Sequence, residues 1–327
     1  MKENTAIPYD PLLCNFQLPL QGTYHPRGFS VEIHTNSEEV LLAADESWGT
    51  RRRLFIEKPV RADICVSEDG PDGTLAPPVC LSRENLVTQI GDSHNFYSLD
   101  LRTGSAFAWF TKATVKNRAG FRYHYLESLV LVNLMSRYMT PVHAACVSLN
   151  GQGVLLCGDS GAGKSSLAFA CALRGWTFIT DDASSLVRNR SERIVIGEPQ
   201  QIRFRESAID LFPVLRYERV TRRINGELAI ELSTSLLADI RTADQASVEH
   251  IVFLNRQDGG STSLEQLPVD GVRSWFEKVI CYGEQESRES QRASLENLLT
   301  ANIVELTYSD LDSAVSSLES LVLASSE

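Results

Sequence analysis

Residues 158–165 read Gly-Asp-Ser-Gly-Ala-Gly-Lys-Ser, and this octet constrains the fold more than any other stretch of the chain. It fits the pattern GxxxxGK[ST], in which glycines let the backbone curl around an anion without Cβ clashes. The short apolar run Val154–Cys157 precedes it, and an apolar-periodic segment, 163–174, follows and stops at Gly175. Strand, glycine-rich loop and helix in that order predict an α/β nucleotide-binding domain. Exposed N–H groups at such a helix start bind phosphate oxygens. In this pattern Gly158, Asp159, Ser160, Gly161, Ala162, Gly163, Lys164, Ser165 and Ser166 form the phosphate cradle of a bound nucleotide. Lys164 is expected to reach the β- and γ-phosphates of ATP, and the Ser165 hydroxyl to ligate Mg²⁺.

The next apolar strand, Thr177–Thr180, ends in the acidic pair Asp181-Asp182. Strand C-terminal ends face the ligand crevice of α/β sheets. One carboxylate can then support Mg²⁺, and the other can orient an incoming hydroxyl and accept its proton.

The string from His143 to Asp182, HAACVSLNGQGVLLCGDSGAGKSSLAFACALRGWTFITDD, resembles the catalytic domain of HPr kinase/phosphorylase and its HprK-related kinases. It has a histidine before a strand, then GDSGxGKS, a helix ending in Arg-Gly and a strand ending in Asp-Asp. Lys164 follows His143 by 21 residues and Asp181 follows Lys164 by 17. The resemblance implies that Asp181 is the general base, that Asp182 supports the metal and that His143 lies near the transferring phosphate. It implies a kinase acting on a serine hydroxyl of a protein or peptide, or on a small molecule, and allows a homo-oligomer, a hexamer in the family. The chain departs from the bifunctional members in three places. Ser166 stands where they have Glu, and Gln201-Ile202-Arg203 is the nearest match to their Glu-x-Arg segment, with Glu198 and Glu206 as substitute acids. Their downstream Pro-Gly-Arg segment is absent. These departures point to a divergent HprK-related kinase and away from HPr as the acceptor. Two other readings stay open: a nucleotide-dependent binding module without transfer, and a phosphoserine phosphorylase or phosphatase. Arg203 and Arg205 are candidate phosphate contacts, whereas Arg222-Arg223 reads as a solvated face.

The chain has 327 residues, enough for about two domains. Residues 1–118 read as a smaller mixed α+β, strand-rich domain with no catalytic motif, with strands expected at 29–34, 64–66, 86–90, 96–101 and 106–114. Ser37 is expected to cap a helix over 38–46. Leu126, Leu129, Val130, Leu134 and Tyr138 recur at helical spacing and predict a connecting helix within 119–140. Residues 141–327 form the P-loop, HPr kinase-like domain. Within it, strands are expected at 144–149, 154–157, 177–180, 185–187, 193–196, 228–232, 250–254 and 263–266. Helices are expected near 206–215, 272–280, 288–300 and 309–324.

A net charge of −11 argues against nucleic acid and against an anionic membrane surface as partners. The seven cysteines are scattered and form no CxxC, so reduced thiols in a cytoplasmic protein are expected. The opening MKENTAIPYDPLLCNFQLPL has no signal-peptide core, and no apolar run is long enough to span a membrane.

Overall fold

The computed structural model describes residues 17–68, 70, 77–222, 226–278 and 285–325. The end of the helix expected at 272–280, Arg223, Cys14 and Cys281 lie outside them. The chain divides into two compact units, Met1–Asn133 and Leu134–Glu327.

The first unit is built on a seven-stranded sheet. Its elements are β1 (Leu20–Tyr24), β2 (Val31–Thr35), α1 (Glu38–Trp48), β3 (Val60–Ser67), β4 (Val79–Arg83), β5 (Leu86–Asp92), β6 (Asn95–Asp100) and β7 (Ser105–Thr111). The spatial order is β1-β2-β3-β7-β6-β5-β4. Pairing is parallel at β2–β3 and β3–β7 and antiparallel elsewhere. Alternation sets the inner face, where Val31, Ile33, Ala62, Ile64, Tyr97, Leu99, Ala106, Ala108 and Phe110 are all buried. Phe110 meets Phe121 and Tyr125, with ring centroids 5.1 and 4.8 Å apart.

Two expectations change here. The strand expected over 106–114 stops at Thr111, because the Thr111 hydroxyl accepts a hydrogen bond from Thr114 N and starts α2 (Lys112–Lys116). The connecting helix is α3 (Arg118–Phe121), one π turn (Arg122–Leu126) and α4 (Glu127–Arg137), and Met139 is already extended. Ser37 does precede α1, but its side chain makes no capping hydrogen bond.

The second unit is a three-layer α/β domain. It contains β8 (Met139–Pro141), β9 (Ala145–Leu149), β10 (Gln152–Cys157), α5 (Lys164–Leu173), β11 (Thr177–Thr180), β12 (Ser185–Val187), β13 (Ile194–Ile196), β14 (Gln201–Phe204), β15 (Val220–Arg222) and β16 (Leu228–Ser233). Then follow β17 (Arg241–Thr242), β18 (Gln245–Arg256), β19 (Ser263–Gln266), α6 (Val269–Glu277), α7 (Gln285–Leu298), β20 (Asn302–Tyr308) and α8 (Leu311–Ala324). The main sheet runs β17-β11-β9-β10-β18-β13-β12-β8, with β20 beside β18 and β19 beside β20. β10 is apolar from Val154 to Cys157 because the sheet is covered on both faces there. Val154 and Leu156 pack with Leu167 and Phe169 of α5 and Val315 and Leu318 of α8. Leu155 and Cys157 pack on the other face with Phe276 of α6 and Leu295 and Leu298 of α7.

A hairpin at Asn150-Gly151 joins β9 to β10, with both residues at positive φ (50° and 83°) as a two-residue turn of this kind needs. The helix expected near 206–215 does not form. Two 3₁₀ turns, Glu206–Asp210 and Pro213–Tyr217, take its place, because Pro213 has no N–H to continue a helix. β14, β15 and β16 form a separate three-stranded antiparallel sheet. β14 and β20 are absent from the sequence reading.

Candidate active site

The direction of three strands brings the motif residues together. β9 is antiparallel to both β10 and β11. The start of β9 and the ends of β10 and β11 therefore open on one edge of the sheet. His143 stands just before β9, the loop 158–163 follows β10, and Asp181-Asp182 follow β11. The ends of β18 and β20, parallel to β10, reach the same edge.

The loop has the backbone its glycines permit. Gly158, Gly161 and Gly163 have φ of 150°, 93° and 98°. A Cβ at Gly163 would also collide with the Tyr308 hydroxyl, which donates a 3.0 Å hydrogen bond to Ala162 O. Lys164 opens α5 and is only 8% exposed. Its Nζ donates to Gly158 O at 2.8 Å and lies 3.9 Å from Asp182 Oδ1. Ser165 and Ser166 follow in the first turn of α5, both half-buried, while Asp159, Ser160 and Gly161 are exposed and Ala162 half-buried.

The two aspartates differ in environment. Asp182 is half-exposed and lies between Lys164 and His143, with Oδ2 3.5 Å from His143 Nδ1. His143 itself has φ of 57°, a conformation costly for a residue with a Cβ that must be held by its surroundings. Ser184 does the holding. Its hydroxyl donates to Ala144 O at 2.8 Å and accepts from Ala144 N at 3.1 Å, and Val142 N donates to Ser184 O. This clips the chain around His143 to the chain after the aspartates. Asp181 is 6% exposed, and its Oδ2 accepts a 2.7 Å hydrogen bond from Arg203 N of β14. Burial pushes its carboxyl above the ordinary carboxylate range, against the opposing pull of that hydrogen bond.

A stability effect follows from Asp181. The folded state holds the proton more readily than the unfolded chain, so ionising Asp181 costs stability as pH rises through its folded pKa. Asp181→Asn removes that cost and still offers an oxygen to Arg203 N. The variant is expected to melt at a higher temperature than the parent at pH 7, with the difference closing as pH falls to the ordinary carboxylate range. Thermal melts across that range check it; an equal loss of stability at every pH would contradict it.

The arginines separate. The Arg203 guanidinium faces Glu231 across the small sheet, with Nε 3.4 Å from Oε1. Arg205 reaches the loop instead, where Nη2 donates to Ser160 Oγ at 2.7 Å. Glu206 is exposed, and among the described residues no group of three or more His, Cys, Asp or Glu side chains is gathered to hold a metal ion. Ser165 and Asp182, one hydroxyl and one half-exposed carboxylate, are the residues that could hold a metal here. That sparse set fits Mg²⁺, which keeps waters and takes phosphate oxygens rather than a full protein cage.

Ser184, Tyr308 and the strand β14 are site components that the sequence reading missed. Tyr308 had a usable signal, the alternation of Glu305 and Thr307 with buried Val304, Leu306 and Tyr308. Ser184 had none, since a serine two residues past an acidic pair is ordinary.

A mixed α/β domain with a glycine-rich loop between β10 and α5, and acidic residues at the neighbouring strand end, is a P-loop domain. Residues 135–209 match the family model of the HPr serine kinase C-terminal domain. HPr kinase/phosphorylase of Streptococcus sanguinis is 30% identical over 169 residues, 50% of this chain and 47% of that protein. The HPr kinase/phosphorylase of Caldicellulosiruptor bescii is 40% identical over 60 residues, 18% of this chain and 19% of that protein. That of Enterococcus faecalis is 44% identical over 63 residues, 19% of this chain and 20% of that protein. The chain thus spans less than half the length of these curated relatives. Among solved structures, the Hpr(Ser) kinase/phosphatase from Coxiella burnetii aligns with 16% identity over 56% of this chain and 98% of that one, at a TM-score of 0.31. No helix among the described residues is long and apolar enough to cross a membrane. Cys65, Cys146, Cys157 and Cys171 are free buried thiols, and Cys80 is free and exposed.

Proposed function

We propose that this chain is an ATP-dependent, Mg²⁺-requiring phosphotransferase acting on a hydroxyl, a serine of a protein or peptide or a small molecule, in the cytoplasm. The observation that carries the reading is the convergence of His143 and Lys164 on Asp182, 3.5 and 3.9 Å from its two carboxylate oxygens, at the mouth of the loop. Lys164 exchanges its carbonyl partners for the β- and γ-phosphate oxygens, and the loop amides of Gly158–Gly163 cradle the same group. Ser165 and Asp182 would hold Mg²⁺, which supplies charge neutralisation on the phosphates. Asp181 has one oxygen fixed by Arg203 N and accepts the hydroxyl proton; burial makes it a stronger base than an ordinary carboxylate. The acceptor oxygen bonds to the γ-phosphorus, the β–γ bridging P–O bond breaks, and ADP leaves with its electron pair. His143 steadies Asp182.

The test is transfer from γ-labelled ATP with Mg²⁺ into a lysate of the source cell, with protein, peptide and small-molecule fractions counted apart. Label in one fraction, lost in Lys164→Ala and Asp181→Asn, supports the kinase and identifies the acceptor class. Bound ATP with no Asp181-dependent label in any fraction would replace it with a nucleotide-gated binding module.

A further inference from the structure

We propose that Arg205 acts as an arginine finger supplied from the same chain, contacting the γ-phosphoryl group as it transfers. The inference rests on the phosphotransfer reading above and assigns a cation that neither the P-loop pattern nor the resemblance specifies. The resemblance points to Arg203, the arginine of the Gln201-Ile202-Arg203 segment. Arg203 is the wrong one of the pair, because its guanidinium is turned to Glu231, directly opposite it in the strand register.

Arg205 differs in what it is bonded to. Among the described residues its guanidinium pairs with no carboxylate, and its hydrogen-bond partner is the neutral Ser160 hydroxyl. Nη1 would lie 3.5 Å from a Cβ placed on Gly161, so the group sits over two consecutive residues of the loop. A guanidinium carries five N–H donors in a planar fork. One is spent on Ser160, a group that a phosphate oxygen outcompetes as an acceptor. The exposed Arg205 thus meets the loop at its exposed residues Ser160 and Gly161, whereas Lys164 meets it from a buried position.

Its place just past β14 decides which phosphate it serves. The amide two residues earlier, Arg203 N, holds the carboxylate of Asp181. Arg205 is still extended (φ −74°, ψ 157°), and two extended residues span about 6.6 Å. The strand that fixes the proton acceptor therefore also leads directly into the cation, which places Arg205 on the side from which the acceptor hydroxyl attacks. That is the γ-phosphoryl end of the nucleotide.

The delivery is rigid. Phe204 precedes Arg205 and Phe212 follows it, and both rings pack on Phe169 of α5, with centroids 5.2 and 4.9 Å away. Phe169 lies one and a half turns beyond Lys164 on the same helix. The finger is thus clamped to the helix that begins with the loop lysine, and closing a distant lid is not needed to bring it in.

The experiment compares the full chain with Arg205→Ala and Arg205→Lys, using Arg222→Ala on exposed β15 as the surface control. Three quantities are measured: affinity for Mg·ADP, the gain in affinity on adding aluminium fluoride as a mimic of the transferring phosphoryl, and the transfer rate. Arg205→Ala is expected to leave Mg·ADP affinity within about threefold, abolish most of the aluminium fluoride gain and slow transfer by about 10²–10³-fold. Arg205→Lys is expected to recover little, because a point charge does not replace the fork. Retention of the fluoride gain and of the rate in Arg205→Ala overturns the proposal. So does an equal loss of Mg·ADP affinity and rate, which would make Arg205 a ground-state contact only. If the parent protein binds no nucleotide or transfers no phosphate, the phosphotransfer reading itself fails and the finger falls with it.

Discussion

Lys164→Ala will slow phosphotransfer by about 10³-fold while leaving the fold intact. The rate effect follows from Coulomb's law. A unit charge about 4 Å away at the effective dielectric of a protein surface is worth about 4 kcal/mol, which is nearly three powers of ten in rate. Charge accumulates on the transferring group and its leaving oxygen, so removal of a positioned cation weighs on the transition state. The fold is spared because Nζ bonds the carbonyls of Gly158 and Asp159 at 2.8 and 3.4 Å and otherwise faces the half-exposed Asp182 at 3.9 Å. Those carbonyls border the exposed rim of the loop, where water can replace the lysine. Single-turnover transfer and a thermal melt read the two halves together. A loss smaller than tenfold, or a collapse of the melting transition, would contradict the expectation.

Phe169→Ala will cost the second unit about 3–5 kcal/mol, the usual range for emptying a large aromatic site in a core. Phe169 is fully buried and belongs to the cluster between the main sheet, α5 and α8. The ring also joins α5 to the small sheet through Phe204 and Phe212, whose own rings are 5.8 Å apart. The void therefore opens at the joint between two substructures, where collapse must move one against the other. Phe169→Leu keeps most of the volume and is expected to cost less than half as much. Denaturant titration gives both values; a cost below about 1 kcal/mol for alanine would mean that the small sheet does not lean on α5.

The legible parts of this protein were those encoded within a few consecutive residues. The loop was readable because Gly158, Gly161 and Gly163 supply backbone angles that other residues resist. Asp181 and Asp182 were readable as a pair at a strand end, but not as unequal partners. Only the register of β14 against Asp181 buries one and leaves the other facing Lys164. Arg203 and Arg205 looked alike because their difference lies in Glu231 and Ser160, 28 and 45 residues distant in the chain. The helix expected near 206–215 was mistaken because Ala208, Phe212 and Leu215 have helical spacing, and Pro213 overrides it. β20 was overlooked between two strongly helical segments, where the alternating strand is only seven residues long.

The bond from Tyr308 to Ala162 has a consequence for the order in which the protein is made. A ribosome releases the loop, its lysine and both aspartates more than 120 residues before Tyr308. Through that interval β18 lacks its neighbour β20, and Ala162 O lacks the hydroxyl that braces it. The bracing of the loop therefore waits until β20 slots in beside β18, and a chain stalled short of that strand carries every motif letter with no braced loop to use them.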